Sequence, residues 1–122
     1  MPIVGLDHVQ VVAPTGSETD ARRFYGDLLG LPELQKPAAL RHRGGVWFAC
    51  GGQQLHVGVT DDFSPATKAH PALLVHHTDL DLIAGRLTAA GIGVQWDDAI
   101  PGTRRFYVSD PWGNRIELLA PS

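Results

Sequence analysis

Residues 6–30, LDHVQVVAPTGSETDARRFYGDLLG, hold the pattern that decides the fold. Positions 6–13 are short and valine-rich, bounded by Gly5 and Pro14, which predicts a strand with His8, Gln10 and Val12 on one face. Ser17 and Asp20 fit a capping box. Ala21, Phe24, Tyr25, Leu28 and Leu29 then fall at helical spacing, with Gly30 where a C-cap glycine belongs, so an amphipathic helix comes after the strand.

Working outward, the stretch 32–43 is expected to hold one strand at its end. VWFAC (46–50) and QLHVGVT (54–60) read as two more strands joined by a Gly51-Gly52 turn. The same order returns in the second half. Positions 70–76 read as a strand, and Thr78 with Asp81 as a second capping box. Leu80, Ile83, Ala84 and Leu87 keep helical spacing up to Gly91, and three more strands are expected at 94–96, 105–109 and 115–120. The offsets agree: His8 to His70 is 62 positions, Gly30 to Gly91 is 61, and His56 to Glu117 is 61. The fold class expected is α+β, two tandem βαβββ modules (about 4–60 and 69–120) forming a curved mixed sheet around a cavity. Each copy is too small to cover its own sheet, so the two should close as one domain, 1–122, or with a partner chain. The polar stretch 60–69, with Pro65, reads as the connector.

Placed on this repeat, the polar residues form two related pairs. His8 and His70 sit near the starts of the first strands, and His56 and Glu117 sit in the last strands. His, Asp and Glu make up about one residue in six of the chain, so ligand-capable residues at all four positions arise by chance about once in a thousand. Three imidazoles and one carboxylate suit one divalent transition metal such as Ni, Co, Fe or Zn, and leave room for substrate or water. Trp47 and Tyr107 occupy equivalent third-strand positions and are expected to line the cavity; Gln10, two residues past His8, shares its face and is a substrate contact. His76 lies six residues beyond His70, too far along a strand to ligate the same ion.

Composition narrows the partners. The chain has 122 residues, 43% of them hydrophobic, with ten Lys and Arg against thirteen Asp and Glu for a formal charge of −3. No basic block fits nucleic acid or an acidic membrane, and no apolar run approaches a membrane span, so a small-molecule substrate is expected. Positions 1–15 lack a basic, cleavable leader, and the single Cys50 cannot form an internal disulfide, which together predict a cytoplasmic protein. Cys50 reads as an inert thiol beside a turn. Arg104 and Arg105 read as solvated surface, and Asp110-Pro111-Trp112-Gly113 as a tight hairpin turn that positions the Glu117 strand.

The phrases LDHVQVVAP, ARRFYGDLLGLPEL, QQLHVGV, HPALLV and RRFYVSDPWGNRIEL resemble the vicinal oxygen chelate superfamily, which takes in glyoxalases, bleomycin-resistance proteins and extradiol dioxygenases. The resemblance runs over nearly the whole chain. It implies metal ligands on the first and last strand of each module, here His8, His56, His70 and Glu117. It implies a substrate chelated through two neighbouring oxygens, a metal-stabilised enolate, Glu117 as the proton-transfer base, and pairing of modules across a homodimer. Within that family, glyoxalase I usually carries a carboxylate where His56 stands, and Val12 and Thr60 replace its glutathione-holding side chains. The fosfomycin thiol transferases match at His8, His70, Glu117 and Tyr107, but the loop at Asp97-Asp98 and the tail differ. An Fe(II) dioxygenase or a non-catalytic resistance protein are the alternative members.

Overall fold

In a computed structural model describing residues 1–121, the valine-rich run becomes strand β1 (His8–Pro14), whose Val11 and Ala13 are buried while His8 and Gln10 are exposed on the other face. The chain divides into two units, Met1–Ser64 and a second beginning at Pro65.

In the first unit, α1 (Glu18–Ala21) runs on as a π-helix, Arg22–Leu28, in which Phe24 O accepts from Leu29 N at 3.0 Å. Ala21, Phe24, Tyr25 and Leu29 are buried, as their spacing predicts. The wider winding sets neighbouring Phe24 and Tyr25 on one side, and Gly30 closes the helix at φ +80. Strands β2 (Glu33–Leu34), β3 (Val46–Cys50) and β4 (Gln53–Thr60) complete a sheet of order β1-β4-β3-β2, with β1 and β4 parallel and the other pairs antiparallel. Val46, Phe48, Leu55 and Val57 face the helix and are almost fully buried.

The second unit repeats the plan. β5 (Ala72–Leu74), α2 (Leu80–Ala89), β6 (Gln95–Asp97), β7 (Thr103–Ser109) and β8 (Arg115–Pro121) give the order β5-β8-β7-β6, again with only the outer pair β5 and β8 parallel. Leu80, Ile83, Ala84 and Leu87 of α2 are buried, as are Phe106, Val108, Ile116 and Leu118 of the sheet. The repeat extends to the register. In the first unit Gln10 lies opposite His56, which lies opposite Trp47; in the second, Ala72 lies opposite Glu117, which lies opposite Tyr107.

Several local expectations are corrected. Neither capping box forms. Ser17 sits at φ −93, ψ 8, outside the extended region an N-cap serine uses, and makes no cap hydrogen bond. In the second unit Asp79, not Thr78, is the N-cap, because Thr78 Oγ1 bonds His76 Nδ1 at 2.8 Å and Asp81 is taken by Arg104. The strand expected at the end of 32–43 lies at its start, as β2; after Pro37 the chain turns into a 3-10 helix, Ala38–Arg43, stopped by Gly44 and Gly45 at positive φ. β5 is shorter than 70–76, so His70, His76 and His77 lie outside it. No helix among the described residues is long and apolar enough to cross a membrane.

Candidate metal centre

In the first unit, strand register places His56 between two flat partners. The His8 ring stacks on it at a centroid distance of 4.3 Å and 17° between planes, and Trp47 stacks at 4.0 Å and 2°. His56 is buried whereas the His8 side chain is 46% exposed. Burial, and after it the field of His8, pushes the His56 pKa below its ordinary value of 6.5, which keeps the imidazole neutral and its lone pair available at neutral pH. His56 Nε2 lies 2.8 Å from Gln54 Oε1, and His8 Nδ1 lies 2.9 Å from the Asp7 carboxylate. Gln10 shares this face, and Gly58 leaves the space it needs: a Cβ on Gly58 would come within 2.8 Å of the Gln10 amide.

In the second unit, His70 precedes β5 and is held by its own backbone, its Nδ1 donating to the Lys68 carbonyl at 2.8 Å. That bond directs Nε2 at Glu117 Oε1, 3.0 Å away. Glu117 is only 5% exposed, inside a sheet face where Tyr107 meets His70 edge-on at 5.5 Å. Its other oxygen, Oε2, faces Arg105 Nη1 at 3.4 Å.

Arg105 corrects the reading of a solvated arginine pair. Alternation along β7 sends the two neighbours to opposite faces. Arg104 pairs at the surface with Asp81 of α2 through two bonds of 2.9 and 3.0 Å and lies over Trp96. Arg105, with a side chain 13% exposed, donates to Tyr107 Oη at 2.9 Å, to Asp97 Oδ1 at 3.1 Å and toward Glu117. The Ala99 N–H and then Arg105 hold the Asp97 carboxyl below the usual carboxylate range. The signal was present in the sequence: Arg105 and Tyr107 are two apart on one strand and so share a face.

The hairpin before β8 is built as expected. Gly113 N donates to Asp110 O at 3.1 Å, and the Asp110 carboxylate accepts from Trp112 N, Asn114 N and Asn114 Nδ2 at 2.8–3.1 Å. Cys50 ends β3, and burial pushes its thiol pKa up, which favours the inert reading. His76 stacks on His77 at 4.6 Å, beyond β5.

The four candidate ligands thus form one pair in each unit. Neither unit, among the described residues, gathers three His, Cys, Asp or Glu side chains into one group. The pair of the second unit nevertheless fits a metal. Neighbouring ligands on an ion bound at about 2.1 Å stand about 3 Å apart at right angles, the separation of His70 Nε2 and Glu117 Oε1. The backbone bond at His70 Nδ1 is the outer contact that ligating histidines use.

No curated relative matches the chain. Among solved structures it is similar to a protein assigned to the glyoxalase family from Bacillus anthracis, 50% identical over 98% of this chain and 97% of that one, with a TM-score of 0.92. A lactoylglutathione lyase from Agrobacterium tumefaciens shares its fold at 22% identity, covering 98% and 96%, with a TM-score of 0.75. So does a variant of the fosfomycin resistance protein FosX from Listeria monocytogenes, solved with Mn(II) and 1S,2S-dihydroxypropylphosphonic acid, at 20% identity, 98% and 94% coverage and a TM-score of 0.79. The family model described as Glyoxalase/Bleomycin resistance protein/Dioxygenase superfamily matches residues 5–118, and the chain belongs to that superfamily.

Proposed function

We propose that this protein is a metal-dependent enzyme, a lyase or isomerase of the glyoxalase type acting on a small substrate with two neighbouring oxygens. His8, His56, His70 and Glu117 hold one divalent ion of the Ni, Co, Zn or Fe kind. When bound, the ion supplies Lewis-acid polarisation of adjacent substrate oxygens. The observation that carries the reading is the buried Glu117 carboxylate, with Oε1 turned to His70 and Oε2 to Arg105. With His56 as the neutral ligand of the other unit, Glu117 is the one acidic member, and it takes and returns the substrate proton. Arg105 fixes the orientation of that carboxylate. Gln10, Trp47 and Tyr107 contact the substrate, Trp47 also holding the His56 ring in place by stacking. The reading extends to a homodimer working in the cytoplasm, with neither nucleic acid nor membrane as partner.

Solvent deuterium incorporation tests this. Incubated with α-hydroxycarbonyl and dicarbonyl compounds in D2O, the metal-loaded protein is expected to catalyse exchange at the carbon next to the carbonyl, and Glu117→Gln to slow it by about 10²–10⁴-fold. Oxygen consumption with Fe(II), without exchange, would contradict the lyase or isomerase reading.

A further inference from the structure

The second unit contains a cavity of about 220 Å³ whose lining includes Thr67, Gln95, Tyr107, Ser109, Gly113 and Arg115. It is smaller than the roughly 300–1,000 Å³ of sites for drug-sized molecules and so fits a small one. Arg115 decides its chemistry. The guanidinium carbon lies over the Tyr107 ring, 3.9 Å from its centroid. Among the described residues its guanidinium has no hydrogen bond and no carboxylate within ion-pair distance. Arg105, on the same sheet face, is different: its charge is met by Asp97 and Glu117.

The other polar side chains of the lining are neutral and can donate. Tyr107 Oη accepts from Arg105 Nη1, which leaves the phenol proton free to be donated. Ser109 lies opposite Arg115 in the β7/β8 register and adds a hydroxyl, and Thr67 and Gln95 add a hydroxyl and an amide. A guanidinium without a hydrogen-bond or ion-pair partner among the described residues, its charge reaching the Asp97 carboxyl only at longer range, is held flat by an aromatic ring beside neutral donors and matches a planar monoanion.

We propose that this cavity is a carboxylate-recognition site in which Arg115 takes the anion and Tyr107 donates to it, so that the substrate is a small organic acid. A phosphonate dianion would leave one charge unmatched. The assignment of this acid as substrate rests on the proposed function, through Glu117, the cross-strand neighbour of Tyr107. The binding itself can be read without metal.

The test is NMR titration of the intact chain stripped of metal by chelation. Glycolate, lactate and benzoate serve as probes, with their methyl esters and methylphosphonate as controls. The expected result is saturable shifts at the Arg115 side chain and Tyr107 ring with at least one acid, binding at least tenfold weaker for its ester, and at least tenfold loss in Arg115→Gln. Arg115→Lys, which keeps the charge and part of the packing, is expected to retain more binding than Arg115→Gln. Metal uptake measured on the same Arg115→Gln sample should equal that of the unaltered protein, so a failure of the metal reading is seen separately. The proposal is overturned if no acid shifts these signals, if the esters bind equally, if methylphosphonate binds more tightly than every acid, or if Arg115→Gln binds as well as the parent.

Discussion

Arg105 joins side chains on three adjacent strands: Asp97 of β6, Tyr107 of its own strand β7 and Glu117 of β8. Removing it takes from the buried Glu117 the cation at its Oε2, and leaving one partner of such a pair unmatched is destabilising. Arg105→Ala is therefore expected to lower the denaturant midpoint, with Arg105→Lys intermediate because an ammonium cannot span the same fork. An unchanged midpoint would mean that the contacts are idle. Glu18 gives a pH signature. Its Oε2 accepts from Gly45 N at 2.8 Å, and that bond holds its pKa below the ordinary 4.5. The stabilisation is complete above 4.5 and is lost as the pH falls through the lowered value. Glu18→Gln should cost about 1 kcal/mol at pH 7, discounted for partial exposure, and the difference should vanish in the acid limb of a stability profile. A difference that persists into acid would assign the effect to packing instead. At this scale the sequence was legible in the placement of His56 and Glu117, both buried and each facing an aromatic residue of the neighbouring strand. Arg105 was not, because adjacency to Arg104 suggested a surface pair while strand alternation separated them.

The elements were legible where periodicity is long. Helix α2 buries the four residues that its spacing selects, and β1, β3, β4, β7 and β8 stand within two residues of their expected positions. The short β6 was legible to within one residue, but the stretch from β2 to β3 was not. β2 is two residues long, and the segment between it and β3 is shaped by Pro37, Gly44 and Gly45 rather than by hydrophobic pattern. The capping boxes failed for separate reasons: Ser17 sits outside the extended backbone an N-cap serine uses, and Asp81 of the second box is engaged by Arg104, a partner distant in sequence. Gly45 tests the entry to β3. It has φ +84, and a Cβ there would stand 2.3 Å from the Val57 carbonyl oxygen, in the neighbouring strand. Gly45→Ala is expected to cost at least about 2 kcal/mol, from backbone strain plus the shift of β4. Thermal unfolding of that variant at the parent's midpoint would show the segment more pliant than described.

On the scale of the whole molecule, the duplication organises everything else. The 61- and 62-residue offsets mark equivalent places in two sheets of the same strand order, and the register repeats with them, so His56 and Glu117 stand at matching points. Family membership was legible through the same phrases that carry the repeat. The substrate was not, because the pairing of side chains on a sheet face is a property of three dimensions. The proposed function requires His8 with His56 and His70 with Glu117 to serve a single ion. Metal analysis of protein purified without chelator or affinity tag, run beside His56→Ala and His70→Ala, tests it most directly. One divalent ion per chain is expected, with occupancy lost or greatly weakened in either variant; no uptake even on reconstitution, or full occupancy in His70→Ala, would contradict it.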